Sequence, residues 1–369
     1  MDFDFSEEQR LLKESVERLV AGEYEFEKRR GYMREKEGWS RALWKQYAEM
    51  GLLGLPFGEE HGGFGGGPVE TMLVMEAFGR ALIVEPYVAT VILAGGALRH
   101  SGHAALLPKI AAGETIVAFA HAEPQSRWNL ADVRTTARKD GSAFVLEGEK
   151  ALVLHGDSAD KLVVSARQGN RIDLFLVDAK APGVSRRGYP TQDGQRAAEI
   201  SLAGARAEAL VAENALPLVE RVADEAMAAL CAEAVGAMAA MHELTVEYLK
   251  TRKQFGVSIG SFQALQHRAV DMLVEVEQAR SMAMFATMMV QEKDPAERRK
   301  SVAAAKAQIG RSARFVGQQA VQLHGGIGMT AEYKLGAYFK RVTMIDTAFG
   351  NAEHQLQLLA KGGGLFFAA

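Results

Sequence analysis

The spacing of apolar residues divides the chain into three stretches with different periodicities. Apolar residues recur every three or four positions in the first and last stretches, whereas the middle stretch carries short β-branched runs broken by glycine or aspartate. The pattern predicts an α+β protein. Its expected parts are an N-terminal helical domain at 1–113, a middle β-barrel or β-sandwich domain at 114–213, and a C-terminal four-helix bundle at 214–369.

The N-terminal stretch contains recognisable signals for where helices begin and end. Ser6 and Gln9 have the spacing of a capping box ahead of an apolar-periodic run. A second helix is expected from Ser40 to Gly51, because a glycine there can end it. The other segments expected here are a glycine-rich loop at 58–68 and helices at 69–78 and 89–112.

The middle and last stretches differ in the kind of apolar run they carry. Apolar residues at three- and four-residue intervals from Leu265 to Ala279 predict an amphipathic helix. The run 226–248 is apolar on much of its circumference, which predicts a buried helix, and Gly362–Gly364 is expected to fray. The strands expected in the middle domain are at 116–120, 144–146, 161–166, 172–177 and around Ile200 and Leu202.

Composition and charge narrow the class of protein. The chain has 369 residues and a net charge of −3, which gives no reason to expect a nucleic-acid partner. The single cysteine, Cys231, excludes a disulfide within the chain and is either a nucleophile or, with no basic neighbour, a small buried hydrophobe. The N-terminus lacks signal-peptide features, and no apolar run reaches membrane-spanning length. We expect a cytoplasmic protein without a membrane partner.

Two short motifs in the last stretch suggest contact with an anionic ligand. Thr251–Gly256 contains Arg252, whose guanidinium can hold a pyrophosphate through two hydrogen bonds. Gln322–Gly328 contains a glycine pair that lets a backbone approach a ligand closely, and its glutamine can donate and accept. Taken alone, the arginine is equally well a solvated helix-end charge, and the glycine pair a helix stop.

These motifs, with Phe5–Gln9 and Gly51–Gly54, stand in the order and at the distances of the acyl-CoA dehydrogenase family, which the chain resembles over nearly its whole length. The resemblance implies FAD-dependent oxidation of an acyl-CoA between Cα and Cβ, in fatty acid metabolism or lipid degradation. It also implies contact with an FAD held mainly by a neighbouring subunit. The residues that would make this contact are Arg252, Gln254, Phe255, Phe262, Gln263, Gln322, Leu323, His324, Gly325 and Gly326.

The catalytic base of the family is missing from its usual position. In most members a glutamate removes the α proton, and the aligned residue here is Phe349, which cannot accept a proton. Some members place the base at the start of the first bundle helix, which is the position of Ala226. The neighbouring Glu225 is one residue off, about 100° of helix rotation. Glu225 is thus a base only if the helix is shifted, and otherwise a first-turn acid favoured by the helix dipole.

The positions that hold a flavin ring also depart from the family. Ala122 stands where most members have threonine, in a loop (122–132) of altered content. Leu152 and Leu154 replace a tryptophan and a threonine that pack and bond at the isoalloxazine. The chain's own flavin-ring pocket is therefore expected to be weakened. This resembles the catalytically degenerate small subunits of heteromeric acyl-CoA dehydrogenases such as pimeloyl-CoA dehydrogenase.

The resemblance implies acyl-CoA as substrate and electron-transfer flavoprotein as electron acceptor. Our leading hypothesis is a heterotetramer with a paralogous, catalytically complete subunit, and a homo-oligomer is the alternative assembly. Two other functions stay open: a self-sufficient dehydrogenase that uses Glu225, and a non-catalytic scaffold. No metal site is expected, because the histidines near the motifs (121, 155 and 354) lack ligand-type spacing.

Overall fold

A computed structural model of the chain describes residues 5–363. It confirms the α+β fold, with helices first, a sheet in the middle and helices again at the end. The predicted frayed glycine run lies partly outside the described residues, at Gly364. Among the described residues, the helices are α1 (Glu7–Glu23), α2 (Phe26–Tyr32), α3 (Arg41–Glu49), α4 (Pro68–Ala81), α5 (Gly95–Ser101), α6 (Leu107–Ala111), α7 (Leu216–Thr251), α8 (Gln263–Met289), α9 (Pro295–His324), α10 (Leu335–Thr347) and α11 (Ala352–Lys361).

The strands lie between α6 and α7, apart from a short hairpin after α7. Within the described part of the chain they are β1 (Val117–Ala120), β2 (Thr136–Asp140), β3 (Ala143–Leu154), β4 (Lys161–Gln168), β5 (Arg171–Asp178), β6 (Val184–Pro190), β7 (Arg196–Ala207), β8 (Ala209–Ala212), β9 (Lys253–Gln254) and β10 (Val257–Ser258). No helix in residues 5–363 combines the length and apolarity that a membrane crossing requires.

The chain forms two compact units that each draw on separated segments. The bundle unit comprises Met1–Arg29, Pro68–Ile83 and Met227–Ala369, as far as these are described. The sheet unit comprises Arg30–Gly67 and Val84–Ala226. Helices α1 and α4 therefore belong with the C-terminal helices, although they are far from them in sequence.

The helix signals read from the N-terminal sequence are confirmed. Ser6 Oγ accepts from Gln9 N at 3.2 Å while Gln9 Oε1 accepts from Ser6 N at 3.0 Å, so both halves of the capping box form. Ser40 caps α3, and Gly51 follows its end with a φ of +75°.

The helix expected at 89–112 is interrupted: it begins as a π-helix, continues as α5 and breaks at Gly102, whose φ is +74°.

The predicted core faces of the bundle unit are also confirmed. In α7, every residue from Met227 to Met241 is buried. In α8, four of the five residues of the predicted apolar face, at 269, 272, 276 and 279, are buried as well, and Leu265 is half-buried. Helix α4 crosses α7 at backbone contact, because a Cβ added to Gly236 would lie 1.9 Å from the carbonyl oxygen of Glu76.

The sheet unit contains a mixed eight-stranded sheet. Its order is β6-β7-β3-β2-β4-β5-β8, and β1 pairs with β4 in parallel. The β-branched runs correctly predicted the buried strands β1, β4 and β5. Strands β2 and β6 were missed because their sequences, TARKD and VSRRGYP, are mostly polar and exposed and show no apolar alternation.

Candidate active site

The two ligand motifs of the sequence meet at one end of the bundle unit. The ring of His324, at the end of α9, stacks on Tyr248 near the end of α7 with centroids 4.5 Å apart. His324 Nε2 lies 3.2 Å from the hydroxyl of Tyr333, and burial lowers the pKa of His324. His324 and the buried Leu323 thus support the motif from inside the protein.

The first motif presents its polar and aromatic groups to solvent. Arg252 follows α7, and the hairpin β9–β10 turns at Phe255, which is 90% exposed and has a φ of +54°. This conformation is energetically unfavourable for a non-glycine residue, and residues that adopt it cluster at functional sites. The ring of Phe255 meets that of Phe262 edge-on at 6.2 Å. The other exposed candidates of this motif are Gln254 and Gln263.

The second motif ends α9 with an open backbone. Gly325 has a φ of +64°, and a Cβ on either Gly325 or Gly326 would meet no atom of residues 5–363 within 4 Å. Gln322, one turn earlier, is exposed. The described part of the chain therefore leaves the space in front of both glycines open, and a ligand or another subunit can approach their backbone.

The positions expected to face a flavin ring come together in the sheet unit. The Ala151 N–H donates to the carbonyl of Ala122 at 2.9 Å, which places the 122–132 loop beside β3. Leu152 is 50% exposed with a φ of +51°, at a bulge where the pairing of β3 with β7 shifts register. Leu154 is half-buried. The surface carries aliphatic groups where a hydroxyl and a flat ring are expected.

A buried ion pair under this surface was missed by the sequence reasoning. Lys150 donates to Glu123 Oε1 at 2.7 Å, to Ser165 Oγ at 3.0 Å and to the carbonyl of His121 at 3.2 Å. The sequence did hold a signal, because Lys150 falls on the same alternating face of β3 as the buried Leu146. A lysine at an inward position needs a buried partner.

The Glu123 carboxylate accepts hydrogen bonds from several donors. Besides Lys150, its carboxylate accepts from the backbone N–H of Arg134 at 2.7 Å and of Thr135 at 3.0 Å. Gln125 adds a further hydrogen bond at 2.9 Å. Burial alone would raise the pKa of Glu123, but Lys150 and these donors lower it to about 2. The loop at 122–132 is therefore anchored by an ionised carboxylate.

The structure corrects the interpretation of Glu225. Helix α7 begins at Leu216, so Glu225 lies nine positions into the helix rather than in its first turn, and the helix dipole does not explain it. Its carboxylate instead contacts His100 Nε2 at 2.8 Å, Arg221 Nε at 3.0 Å and Arg99 Nη2 at 3.1 Å. Burial would raise the pKa of Glu225, but His100 and the two arginines lower it to about 2.

Phe349 lies in the bundle unit, between α10 and α11. Its side chain packs against a hydrophobic cluster that includes Met227, Ala286 and Val302. Its φ is +56°, so the backbone here adopts a conformation that is costly for a phenylalanine. The residue at this position is apolar and well packed, and it offers no proton acceptor.

Comparison with known proteins identifies the family. Three sequence models match in order: acyl-CoA dehydrogenase N-terminal domain at 6–114, middle domain at 118–203 and C-terminal domain at 216–364. Acyl-CoA dehydrogenase FadE12 of Mycobacterium tuberculosis is 31% identical over 96% of this chain and 96% of its own length. The chain belongs to the acyl-CoA dehydrogenase family.

Solved structures agree with this family membership. The ChsE4–ChsE5 complex from Mycobacterium tuberculosis contains a chain 26% identical to this one, with a TM-score of 0.87 and coverage of 98% of both chains. A chain of the Tcur3481–Tcur3483 steroid acyl-CoA dehydrogenase G363A variant is 29% identical, with a TM-score of 0.88 and coverage of 97% of this chain and 99% of that one.

An acyl-CoA dehydrogenase needs a base for the α proton, and Glu225 is the alternative candidate for that role. Its protonation and its contacts therefore matter. A general base works best when its pKa lies near the operating pH. The pKa of Glu225 is about 2, and both carboxylate oxygens are engaged by cationic or imidazole groups. This geometry favours a structural ion cluster over a proton acceptor.

Three other side chains that could be reactive, Cys231, His121 and His155, are buried. Burial raises the pKa of Cys231 to about 12, so its thiol stays protonated at neutral pH. His121 lies 2.9 Å from Ser165 Oγ, and His155 lies 3.2 Å from Gln195 Oε1. Across residues 5–363, no three His, Cys, Asp or Glu side chains are grouped as metal ligands.

The pH dependence of unfolding should show how much the cluster of Glu225 with Arg99, His100 and Arg221 (the Glu225 cluster) stabilises the fold. Because its folded pKa lies below the unfolded value, the stabilisation is present above about pH 4.5 and is lost as the pH falls towards 2. We expect Glu225→Gln to lower the free energy of unfolding by roughly 3 kcal/mol at pH 7 and to flatten its acid dependence. Urea unfolding between pH 7 and pH 3 measures both. The exposed Glu114→Gln is the control, and equal effects of the two changes would contradict the cluster's role.

Proposed function

We propose that this chain is the subunit without a base in a heteromeric, FAD-dependent acyl-CoA dehydrogenase, which carries out α,β-dehydrogenation of an acyl-CoA. The observation that carries the proposal is the apolar, packed Phe349 at the position of the family's glutamate. The ion cluster around Glu225 adds support, since the alternative base is ionised and engaged. Catalysis then depends on a paralogous subunit.

The exposed end of the bundle unit fits half of an FAD site. Arg252 supplies a cation, while the glutamine side chain at 322 and the open backbone at Gly325–Gly326 supply donors for a pyrophosphate and its neighbouring groups. FAD, when bound, supplies the hydride acceptor of the reaction. The side chains of Ala122 and Leu152 carry neither a hydroxyl nor a flat ring, which supports an FAD held mainly by the partner.

An exposed apolar strip supports assembly with another subunit. Along α8, Val270, Leu273 and Val274 are exposed at helical spacing, and Phe262 lies at the start of the same helix. Large exposed apolar surfaces of this kind usually mark interaction sites. The two solved relatives are named as pairs, ChsE4–ChsE5 and Tcur3481–Tcur3483, and we propose the same kind of pairing here, in a heterotetramer. By family, electron-transfer flavoprotein accepts the electrons.

Co-expression with a paralogous acyl-CoA dehydrogenase subunit tests the proposal. We expect a complex with a fixed subunit ratio, visible flavin absorbance and turnover of an acyl-CoA. In this complex, Arg252→Ala should weaken FAD binding roughly 10- to 100-fold, because a charged hydrogen bond to the cofactor is lost. Arg138→Ala, an exposed arginine on β2, is the matched control. Unchanged FAD affinity in the Arg252 variant would remove the shared-site part of the proposal.

The two other functions make different predictions in the same experiment. A self-sufficient dehydrogenase would lose turnover on Glu225→Gln, whereas the proposed subunit retains it in the folded complex. A scaffold would give a colourless complex with no flavin of its own or its partner's. Both outcomes are read from one absorption spectrum and one activity assay.

A further inference from the structure

The loop that carries Phe349 is held by two buried side chains from different helices. Lys306, in the middle of α9 and 0% exposed, donates to the carbonyl of Asp346 at 2.8 Å and to that of Gly350 at 3.2 Å. Gln355, in α11 and also 0% exposed, donates to the carbonyl of Phe349 at 2.8 Å and to that of Gly350 at 3.3 Å. The carbonyls on both sides of position 349 are therefore fixed from the interior.

The carboxylate of Asp346 closes the loop from its other end. Its Oδ1 accepts from the backbone N–H of Ala352 at 3.1 Å, and its Oδ2 accepts from Arg314 Nη2 at 3.1 Å. Helix α9 comes so close that a Cβ on Gly310 would lie 2.2 Å from Asp346 Oδ1. The loop between α10 and α11 is thus restrained by α9, by α11 and by Asp346 in the last turn of α10.

This restraint keeps a costly backbone conformation. Phe349 has a φ of +56° and Gly350 a φ of +105°, and the left-handed region is energetically unfavourable for a non-glycine residue such as phenylalanine. Burying the ammonium of Lys306 costs energy as well, and burial lowers its pKa. A hydrophobic loop that only had to pack would need neither feature, since an apolar residue could fill the place of Lys306.

We propose that Lys306 and Gln355 are positioning residues that fix the direction of the side chain at position 349, so that the chain keeps the socket for a catalytic base although the base itself is replaced. The inference rests on the proposed function for its meaning, since the family resemblance makes 349 the position of the base. The socket itself is a property of the fold, set by four hydrogen bonds to the Asp346, Phe349 and Gly350 carbonyls.

Fluorine NMR of the full-length chain tests the socket without FAD, acyl-CoA or a partner. With 4-fluorophenylalanine at position 349, we expect one narrow resonance. In Lys306→Met and in Gln355→Leu, it should broaden or split into several resonances, because the loop samples more than one conformation. Arg341→Met is the matched control: it breaks an ion pair with the buried Glu233 in the same unit, five residues before Asp346 on α10, and should leave the resonance in place.

The outcomes separate this inference from the proposed function. An unchanged resonance in both folded variants overturns the socket, as does an equal change in the Arg341 control, which would report general loosening. If Lys306→Met does not fold, as judged by its thermal melt, Gln355→Leu decides alone. Because the readout needs neither cofactor nor partner, the socket can fail while the heteromeric assignment stands, and the reverse holds too.

Discussion

Replacing Lys150 by Met is expected to lower the free energy of unfolding by about 3–5 kcal/mol, since it leaves the Glu123 carboxylate buried without its counter-ion. The two side chains are 0% and 2% exposed and 2.7 Å apart. Water cannot solvate the unpaired Glu123 carboxylate unless the sheet unit opens. A loss of this size is a large fraction of the stability of a typical domain.

Two further variants show whether the cause is the unpaired charge. Glu123→Gln combined with Lys150→Met removes both charges and keeps one acceptor oxygen, for one of the two backbone N–H groups of Arg134 and Thr135 that donate to Glu123. This double variant should recover a substantial part of the loss. Lys161→Met, on β4, removes a half-buried lysine from partly exposed carboxylates and should cost less than about 1 kcal/mol. Urea unfolding of all three variants measures the differences, and a double variant no more stable than Lys150→Met alone would contradict the account.

The second large effect is expected at the crossing of α4 and α7. A Cβ at Gly236 would lie 1.9 Å from the Glu76 carbonyl oxygen, and one at Gly79 would lie 1.9 Å from the Glu233 carbonyl oxygen. Backbone atoms of two packed helices cannot move aside as a side-chain end can. We expect Gly236→Ala to destabilise the protein by about 3 kcal/mol or more, and Gly236→Val to prevent stable folding.

The control for this prediction is a helical glycine in open space. A Cβ at Gly22, in α1, would meet no atom of the described residues within 4 Å, so Gly22→Ala should be neutral or slightly stabilising through its higher helix propensity. Thermal melting of the two alanine variants gives the comparison. Similar melting temperatures for Gly22→Ala and Gly236→Ala would show that the helices do not cross this closely.

The sequence predicted those parts of the fold whose signals are local. The capping box at Ser6 and the caps around α3 depend on neighbouring residues and were correct. Strands β2 and β6 were missed because a polar, mostly exposed segment pairs through its backbone, which leaves no side-chain pattern. The close approach of Gly79 to α7 was invisible for a related reason, since it depends on a helix more than a hundred residues away.

The candidate site shows the same contrast: its local motifs could be predicted from the sequence, and its long-range contacts could not. Motif spacing located Arg252 and Gln322–Gly326, and the structure places both at one end of the bundle unit through the Tyr248–His324 stack. The partners of Glu225 lie in α5 and one turn earlier in α7, so a linear reading could not assemble the cluster and attributed the residue to a helix dipole. The Lys306 contacts were missed because a lysine inside an alanine-rich helix reads as a solvated position.

The central claim is that Phe349 leaves this chain without a proton acceptor for acyl-CoA oxidation. The most direct measurement is flavin absorbance during a single turnover, with the purified chain alone, reconstituted with FAD, and in complex with a paralogous subunit. The account predicts bleaching by acyl-CoA in the complex and none in the chain alone. Rapid bleaching by the isolated chain, at one FAD per protomer, would contradict it.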